Sequence, residues 1–454
     1  VTRSNPLRTL ALAALMAAVG GTAAPQRAAA QTNPAPRAPT SDSVSTPAPA
    51  DTAERLQFSP SPGDSGKPSG AEAEVRERER EGAWLRAPLG EGLITDIEPW
   101  HAAEGHHQDL DFLLDYNRVD ALRLGLGWRY HETAPWMPRV GLRWEEALDR
   151  NRTLYGAQFE QPVTHNGRFA LGAIMLRRTE HSDQQQTGDL ENSFALLMLR
   201  YDYRDYWERE NVGAYASLRV PDFSTISLHV RSDQYRSLEE RPKVISWAHG
   251  GRFLRDNPAI DDGVSRNLLL RLERPVRLTR RMRAGFYHWI EVERAGYGMG
   301  GDFKYTRALA DLRSVVRLSP ASTLSLRAVG GHTPDGDLPR QKAFALGGPD
   351  GLRAHVVGEF RGSRMALGQA EYDVGLRPIH SHGHDAGVHL LAFVDAGQAW
   401  NGTGWSWEAG QQKFAADGGF GVSTSENAMR IYLAKNLQNL DSDFVVYLRF
   451  QRPF

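Results

Sequence analysis

The chain contains no cysteine. That excludes thiolate metal sites, disulfide scaffolds and cysteine nucleophiles, and it suits a polypeptide that passes through an oxidising compartment without stray pairing. Long hydrophobic runs are also missing. The only extended apolar stretch is Leu10–Val19, well short of the roughly 20 residues a spanning helix needs. Mean hydropathy is −0.49, so a helical membrane protein is excluded. Charge of one sign is absent too: 54 Lys and Arg stand against 55 Asp and Glu, which gives no basis for nucleic-acid binding. There is no Gly-x-Ser-x-Gly elbow. Against this background, 11 Trp, 14 Tyr and 44 Gly are prominent for so polar a chain.

The N-terminus reads as an export signal over residues 1–30. Arg3 and Arg8 form a basic start, Leu10–Val19 an apolar middle, and Ala28-Ala29-Ala30 a small-residue site before Gln31, with Thr22-Ala23-Ala24 as a second site. Residues 31–70 are rich in Pro, Ala, Ser, Thr and Gly and predict a disordered linker. Residues 71–120 form a charged pre-barrel segment. Within it, Glu72 with Arg76 and Glu74 with Arg78 have the i,i+4 spacing of a short exposed helix.

From residue 121 to 454 the hydropathy has period two, broken by turn clusters. Leu122, Leu124, Leu126, Trp128 and Tyr130 share one face, as do Val388, Leu390, Ala392, Val394 and Ala396. Strands are predicted at 121–131, 136–145, 152–162, 166–178, 194–206, 209–220, 224–235 and 263–275. The remainder fall at 281–296, 301–317, 320–332, 362–376, 386–398, 413–424, 427–437 and 443–454. These predict an all-β fold, a 16-stranded antiparallel transmembrane β-barrel, the even count expected of single-chain bacterial barrels. The segment 333–361 follows the eleventh strand as a long external loop. Closure of such a barrel pairs 121–131 with 443–454, since open edges in lipid would leave backbone groups unsatisfied. Gly125 and Gly127 weaken one side of that seam and Pro453 removes a donor from the other. Such an edge offers a place for strand addition.

The run Leu346-Gly347-Gly348-Pro349-Asp350-Gly351-Leu352-Arg353 is followed by Phe360-Arg361-Gly362, Glu371-Tyr372, Phe393-Val394-Asp395-Ala396-Gly397 and Gly418-Gly419-Phe420-Gly421. Phe444, Val446, Leu448, Phe450 and the terminal Phe454 share one face of the last strand. In order and spacing this resembles the BamA/TamA-type outer-membrane assembly and translocation superfamily, the bacterial surface antigen barrels. Tyr116-Asn117-Arg118-Val119-Asp120-Ala121-Leu122 resembles the start of the barrel in that family. The resemblance implies that the long loop, with Gly347, Gly348 and Leu352 in its motif, folds back into the lumen. It implies that Arg353 fills the role of the Arg in the family's Val-Arg-Gly-Tyr/Phe motif, although Ala354 and His355 replace the last two residues. It carries the family's acidic positions to Glu371 and Asp395, and the assembly signal to Phe450 and Phe454.

Alternation independently places Glu371 and Asp395 on the inner face, where a planar guanidinium can bridge two carboxylates; the alternative is three ordinary lumen charges in water. Between Gln31 and Trp100 no POTRA module is expected, so the resemblance covers the barrel alone. The expected location is the bacterial outer membrane. The expected partners are its lipid including lipopolysaccharide, the barrel assembly machinery during biogenesis, and a polypeptide or lipid cargo. Neither nucleic acid nor a cofactor is expected. The functional reading is a barrel aiding outer-membrane protein insertion or export of protein or lipid, and not an enzyme. A passive or structural pore and an outer-membrane hydrolase remain as alternatives. His380, His382 and His384 in a periplasmic turn, and His101, His106 and His107 near Glu104, have ligand-like spacing but read as solvated segments, so no metal is expected. The glycines at 296, 298, 300 and 301 read as a hairpin tip and not a phosphate loop.

Overall fold

The structure is a computed structural model. It describes residues 108–449 except 132–135, 183–186, 221–223, 241–243, 248–253, 275–283, 377–378, 382–383, 403–412 and 425–428. The expected signal, linker and charged helix lie outside the described residues. So do Phe450, Pro453 and Phe454, His101, His106 and His107, and His382 of the turn.

The strands in chain order are β1 (Gln108–Asn117), β2 (Ala121–His131), β3 (Arg139–Ala147), β4 (Arg152–Pro162) and β5 (Phe169–His181). Helix α1 (Asp189–Leu199) interrupts the series. Then come β6 (Tyr206–Val220), β7 (Ser224–Ser237), β8 (Gly263–Arg274), β9 (Gly285–Ala295), β10 (Tyr305–Ser319) and β11 (Ser322–Gly336). Short strands β12 (Phe344–Leu346) and β13 (Phe360–Gly362) precede β14 (Arg364–Gly375), and β15 (Ile379–Ser381) pairs with β16 (His384–Ala386). The series ends with β17 (Val388–Trp400), β18 (Ala415–Thr424), β19 (Arg430–Asn436) and β20 (Val445–Arg449). Sixteen of these form one antiparallel sheet in the order β1 to β11, β14, β17, β18, β19, β20.

The sheet is inside-out relative to a soluble protein. Leu110, Phe112 and Leu114 of β1, Ile226, Leu228 and Val230 of β7, and Phe420 and Val422 of β18 are exposed. The alternate positions are buried and charged: Arg123, Glu145, Glu208, Asp233, Glu293, Asp311, Arg327, Glu371 and Asp395. Exposed apolar and buried charged side chains alternating along one strand are what a lipid-facing barrel with a polar interior requires. No helix among the described residues is long and apolar enough to cross a membrane. This is a 16-stranded transmembrane β-barrel, with the loop between β11 and β14 turned inward.

Two errors in the expected strand list cancel in its count. Residues 108–117, placed before the barrel, form β1, and 121–131 form the second strand. The expected strand 194–206 is instead mostly α1 and the loop after it. Asp189 and Glu191 lie in the first turn of α1, where the helix dipole favours them. Ala195-Leu196-Leu197-Met198-Leu199 lacks β-branching and favours a helix. Arg200 caps it in the left-handed region at φ 60°. The segment 116–122 is therefore the first hairpin turn, closed by Asn117 Oδ1, which accepts from the N–H groups of Val119 (3.0 Å) and Asp120 (2.7 Å).

The seam moves with the first strand. β2 is flanked by β1 and β3, so Gly125 and Gly127 are not at a sheet end. A Cβ on Gly125 would lie 2.3 Å from the Trp144 carbonyl oxygen, so that glycine permits close packing of β2 on β3. The ends of the sheet are β1 and β20. Among the described residues no pairing joins them.

Candidate functional site: the inward loop

Residues 337–363 connect β11 to β14 across the buried face. At the base of the loop β12 pairs with β13, Phe344 opposite Gly362. Gly347 and Gly348 then turn the chain with φ of 116° and 85°. These are conformations that favour glycine, and a Cβ on Gly347 would lie 2.0 Å from the Val356 carbonyl oxygen. The Gly348 N–H donates to the carbonyls of Leu352 (3.1 Å) and His355 (3.0 Å), closing the tip on itself. Leu352 is wholly buried in an apolar cluster with Trp289, Leu309, Phe344, Met365 and Leu367. That contact anchors the loop by removing apolar surface from water.

This anchoring delivers Arg353 to the inner wall at 1% exposure. Its Nε and Nη2 donate to the two oxygens of Asp395 at 2.7 and 2.9 Å, and its Nη1 donates to Glu371 Oε2 at 3.0 Å. The guanidinium also lies over the Phe393 ring at 3.7 Å and near the Tyr432 ring at 5.0 Å. A fork on one carboxylate, a single bond to the next and an aromatic face beneath are features a lysine cannot reproduce. The structure thus brings Arg353, Glu371 and Asp395 together from the loop, β14 and β17, not as separate hydrated charges.

Several partners of this constellation were not singled out in the sequence. Tyr432 OH donates to Glu371 (3.0 Å to Oε2), and Arg430 pairs with the same carboxylate. Gln369 Nε2 donates to Asp395 Oδ1 (3.1 Å) and to the Gly351 carbonyl (2.8 Å). Arg327 Nη1 donates to the Asp350 carbonyl (2.9 Å). All lie on inward positions of β11, β14 and β19, so their signal was the same alternation that placed Glu371. What alternation cannot supply is which inward charges on non-neighbouring strands meet.

The departure at Ala354-His355 has a structural consequence. The Ala354 N–H donates to Asp417 Oδ2 at 2.8 Å. His355 places Nε2 3.4 Å from Asp417 Oδ1 and Nδ1 3.2 Å from Glu359 Oε1, with its ring edge-on to Phe360. Hydrogen bonding to Asp417 holds the imidazole above its ordinary 6.5, because the charged form is favoured between two carboxylates. Asp350 is drawn the other way. Burial raises its carboxyl, but Arg449 and the bonds from Thr187 hold it below the usual value.

Among the described residues no group of His, Cys, Asp and Glu is arranged to hold a metal ion. His380 and His384 fall on β15 and β16.

With an inside-out sheet and an inward loop established, a family model of the Omp85 superfamily domain matches residues 107–443. The chain belongs to the Omp85 superfamily. The matched span includes β1, in agreement with the corrected first strand. Among solved structures, this Omp85 barrel is similar to BamA from Haemophilus ducreyi lacking POTRA domains 1-3. That match has 14% identity and a TM-score of 0.50, over 76% of this chain and 70% of that one. It is also similar to CdiB from Acinetobacter baumannii (14% identity, TM-score 0.42, 76% and 59% covered). CdiB from Escherichia coli is a further match (11%, 0.43, 77% and 63%). The chain thus spans less than two thirds of either CdiB. No curated protein matches the sequence.

Proposed function

We propose that this Omp85 barrel resides in the bacterial outer membrane, is folded there by the barrel assembly machinery, and aids insertion or export of polypeptide. A lipid cargo fits the same barrel, and the outward apolar belt would face lipid including lipopolysaccharide. The observation that carries this reading is the docked loop. A passive pore needs an open channel, whereas here the inward loop crosses the buried face and holds Arg353, almost wholly buried, on Asp395 and Glu371. Against the loop lies a cavity of about 30 Å³, lined by Trp289, Leu309, Asp311, Arg327 and Leu346, room for about two water molecules. Cargo would then use the boundary between β1 and β20, not the lumen. The anchored loop is the reason for reading Arg353, Glu371 and Asp395 as a lock. The experiment is depletion of the protein in its host, followed by quantitation of other barrels in the outer-membrane fraction. Their levels are expected to fall and to recover with the wild-type gene. Unchanged levels of every outer-membrane protein would overturn the insertion reading.

A further inference from the structure

The helix that replaces an expected strand touches both ends of the sheet. α1 packs against β1 and reaches β20. Toward β1, Ser193 Oγ accepts the main-chain N–H of Tyr116 at 2.8 Å and donates to Asp115 Oδ1 at 3.1 Å. Toward β20, Glu191 Oε1 lies 2.7 Å from Nε of Arg449, an arginine 2% exposed. The remaining nitrogens of Arg449 donate to the Pro349 carbonyl (2.6 Å) and Asp350 Oδ1 (2.8 Å) of the inward loop. Asp350 Oδ2 in turn accepts from the Thr187 N–H and hydroxyl, just before the helix, at 2.9 and 2.8 Å. The helix is also held from behind. Ser246 and Trp247 donate to the Leu196 and Leu197 carbonyls at 2.7 and 2.8 Å.

We propose that α1 is an internal latch across the seam. Ser193 caps a backbone donor of the edge strand β1, Glu191 holds β20 through Arg449, and Asp350 couples the latch to the inward loop. The Tyr116 N–H belongs to the strand at the end of the sheet. While Ser193 accepts from it, that donor is closed to a neighbouring strand, and strand addition at this end of the edge must first displace the helix. Arg449 makes the arrangement bistable. Buried between Glu191 and Asp350, it tolerates the loss of neither carboxylate cheaply, so loop and helix release together or stay together. The latch is a property of the folded barrel and stands whether or not cargo passes the seam.

The test is hydrogen–deuterium exchange on the full chain refolded in lipid, comparing wild type with the double variant Glu191→Gln, Ser193→Ala. Heat-modifiable migration on a gel checks that the barrel is folded. Losing these contacts should make amides of β1 and β20 exchange roughly tenfold faster, the other fourteen strands of the sheet staying unchanged, because local opening involves only the released elements. Unaltered exchange at the two end strands would overturn the latch, and so would an equal rise across the whole sheet. Should the double variant fail to fold, Ser193→Ala alone removes one hydroxyl and reads the Tyr116 amide directly. Protection there equal to wild type would refute the cap.

Discussion

At the scale of single residues, Arg353 ties the inward loop to two strands at once, through Asp395 of β17 and Glu371 of β14. Its worth lies in what its removal leaves behind, since a buried ion pair is weak grounds for net stability but breaking one strands the partners. Among the described residues Asp395 would keep Gln369, whereas Glu371 would retain Arg430 and Tyr432. A hydrated lumen would screen these charges, yet the site is 1% exposed at Arg353 and 0% at Asp395. Arg353→Ala is therefore expected to cost about 3–5 kcal/mol, read as a lower urea midpoint for the refolded barrel. Arg353→Lys should recover only a minor part of that loss, because an ammonium cannot fork onto Asp395 while also reaching Glu371. A lysine variant with the wild-type midpoint would show that charge alone, without geometry, holds the loop.

Among the elements, the inward loop carries its own pH dependence. His355 is raised above its ordinary value by Asp417 and Glu359, so its ion pairs stabilise the docked tip fully below about pH 6.5, the unfolded value. That contribution fades as pH climbs through the higher folded value and the imidazole loses its proton. The difference in melting temperature between wild type and His355→Gln should thus be largest in mildly acidic buffer and disappear at alkaline pH. A difference independent of pH would mean that the ring acts by packing on Phe360 and not by charge. Elements also differ in how plainly the sequence encodes them. Strands such as 121–131, 152–162 and 224–235 announced themselves because lipid on one face and charge on the other enforce strict alternation. β1 is harder to read because its alternation of Leu110, Phe112 and Leu114 with Asp109, Asp111 and Asp115 is short and continues a charged segment. α1 reads as a strand in sequence because a short apolar run bounded by polar residues has no period of its own. Its buried polar positions, Glu191 and Asn192, only make sense once Arg449 and Tyr206 are seen beside them.

For the whole molecule, a 16-stranded sheet with an apolar exterior and a buried, charged inner face is the frame that makes these local arrangements possible. The loop motif was legible as a resemblance, and the inward direction of Glu371 and Asp395 followed from period two. The docking of the extra segments was not legible, because it depends on contacts such as Thr187 with Asp350 and Arg361 with Asp205 between segments far apart in sequence. With the inward loop docked on Asp395 and Glu371, the proposed action on other polypeptides falls at the boundary between β1 and β20. The most direct measurement is the folding rate of an unfolded outer-membrane barrel added to lipid vesicles containing the purified protein, followed by heat-modifiable migration. Folding should be several-fold faster than in protein-free vesicles, and the acceleration should be lost with folded Arg353→Ala. Equal rates with and without the protein would contradict the claim.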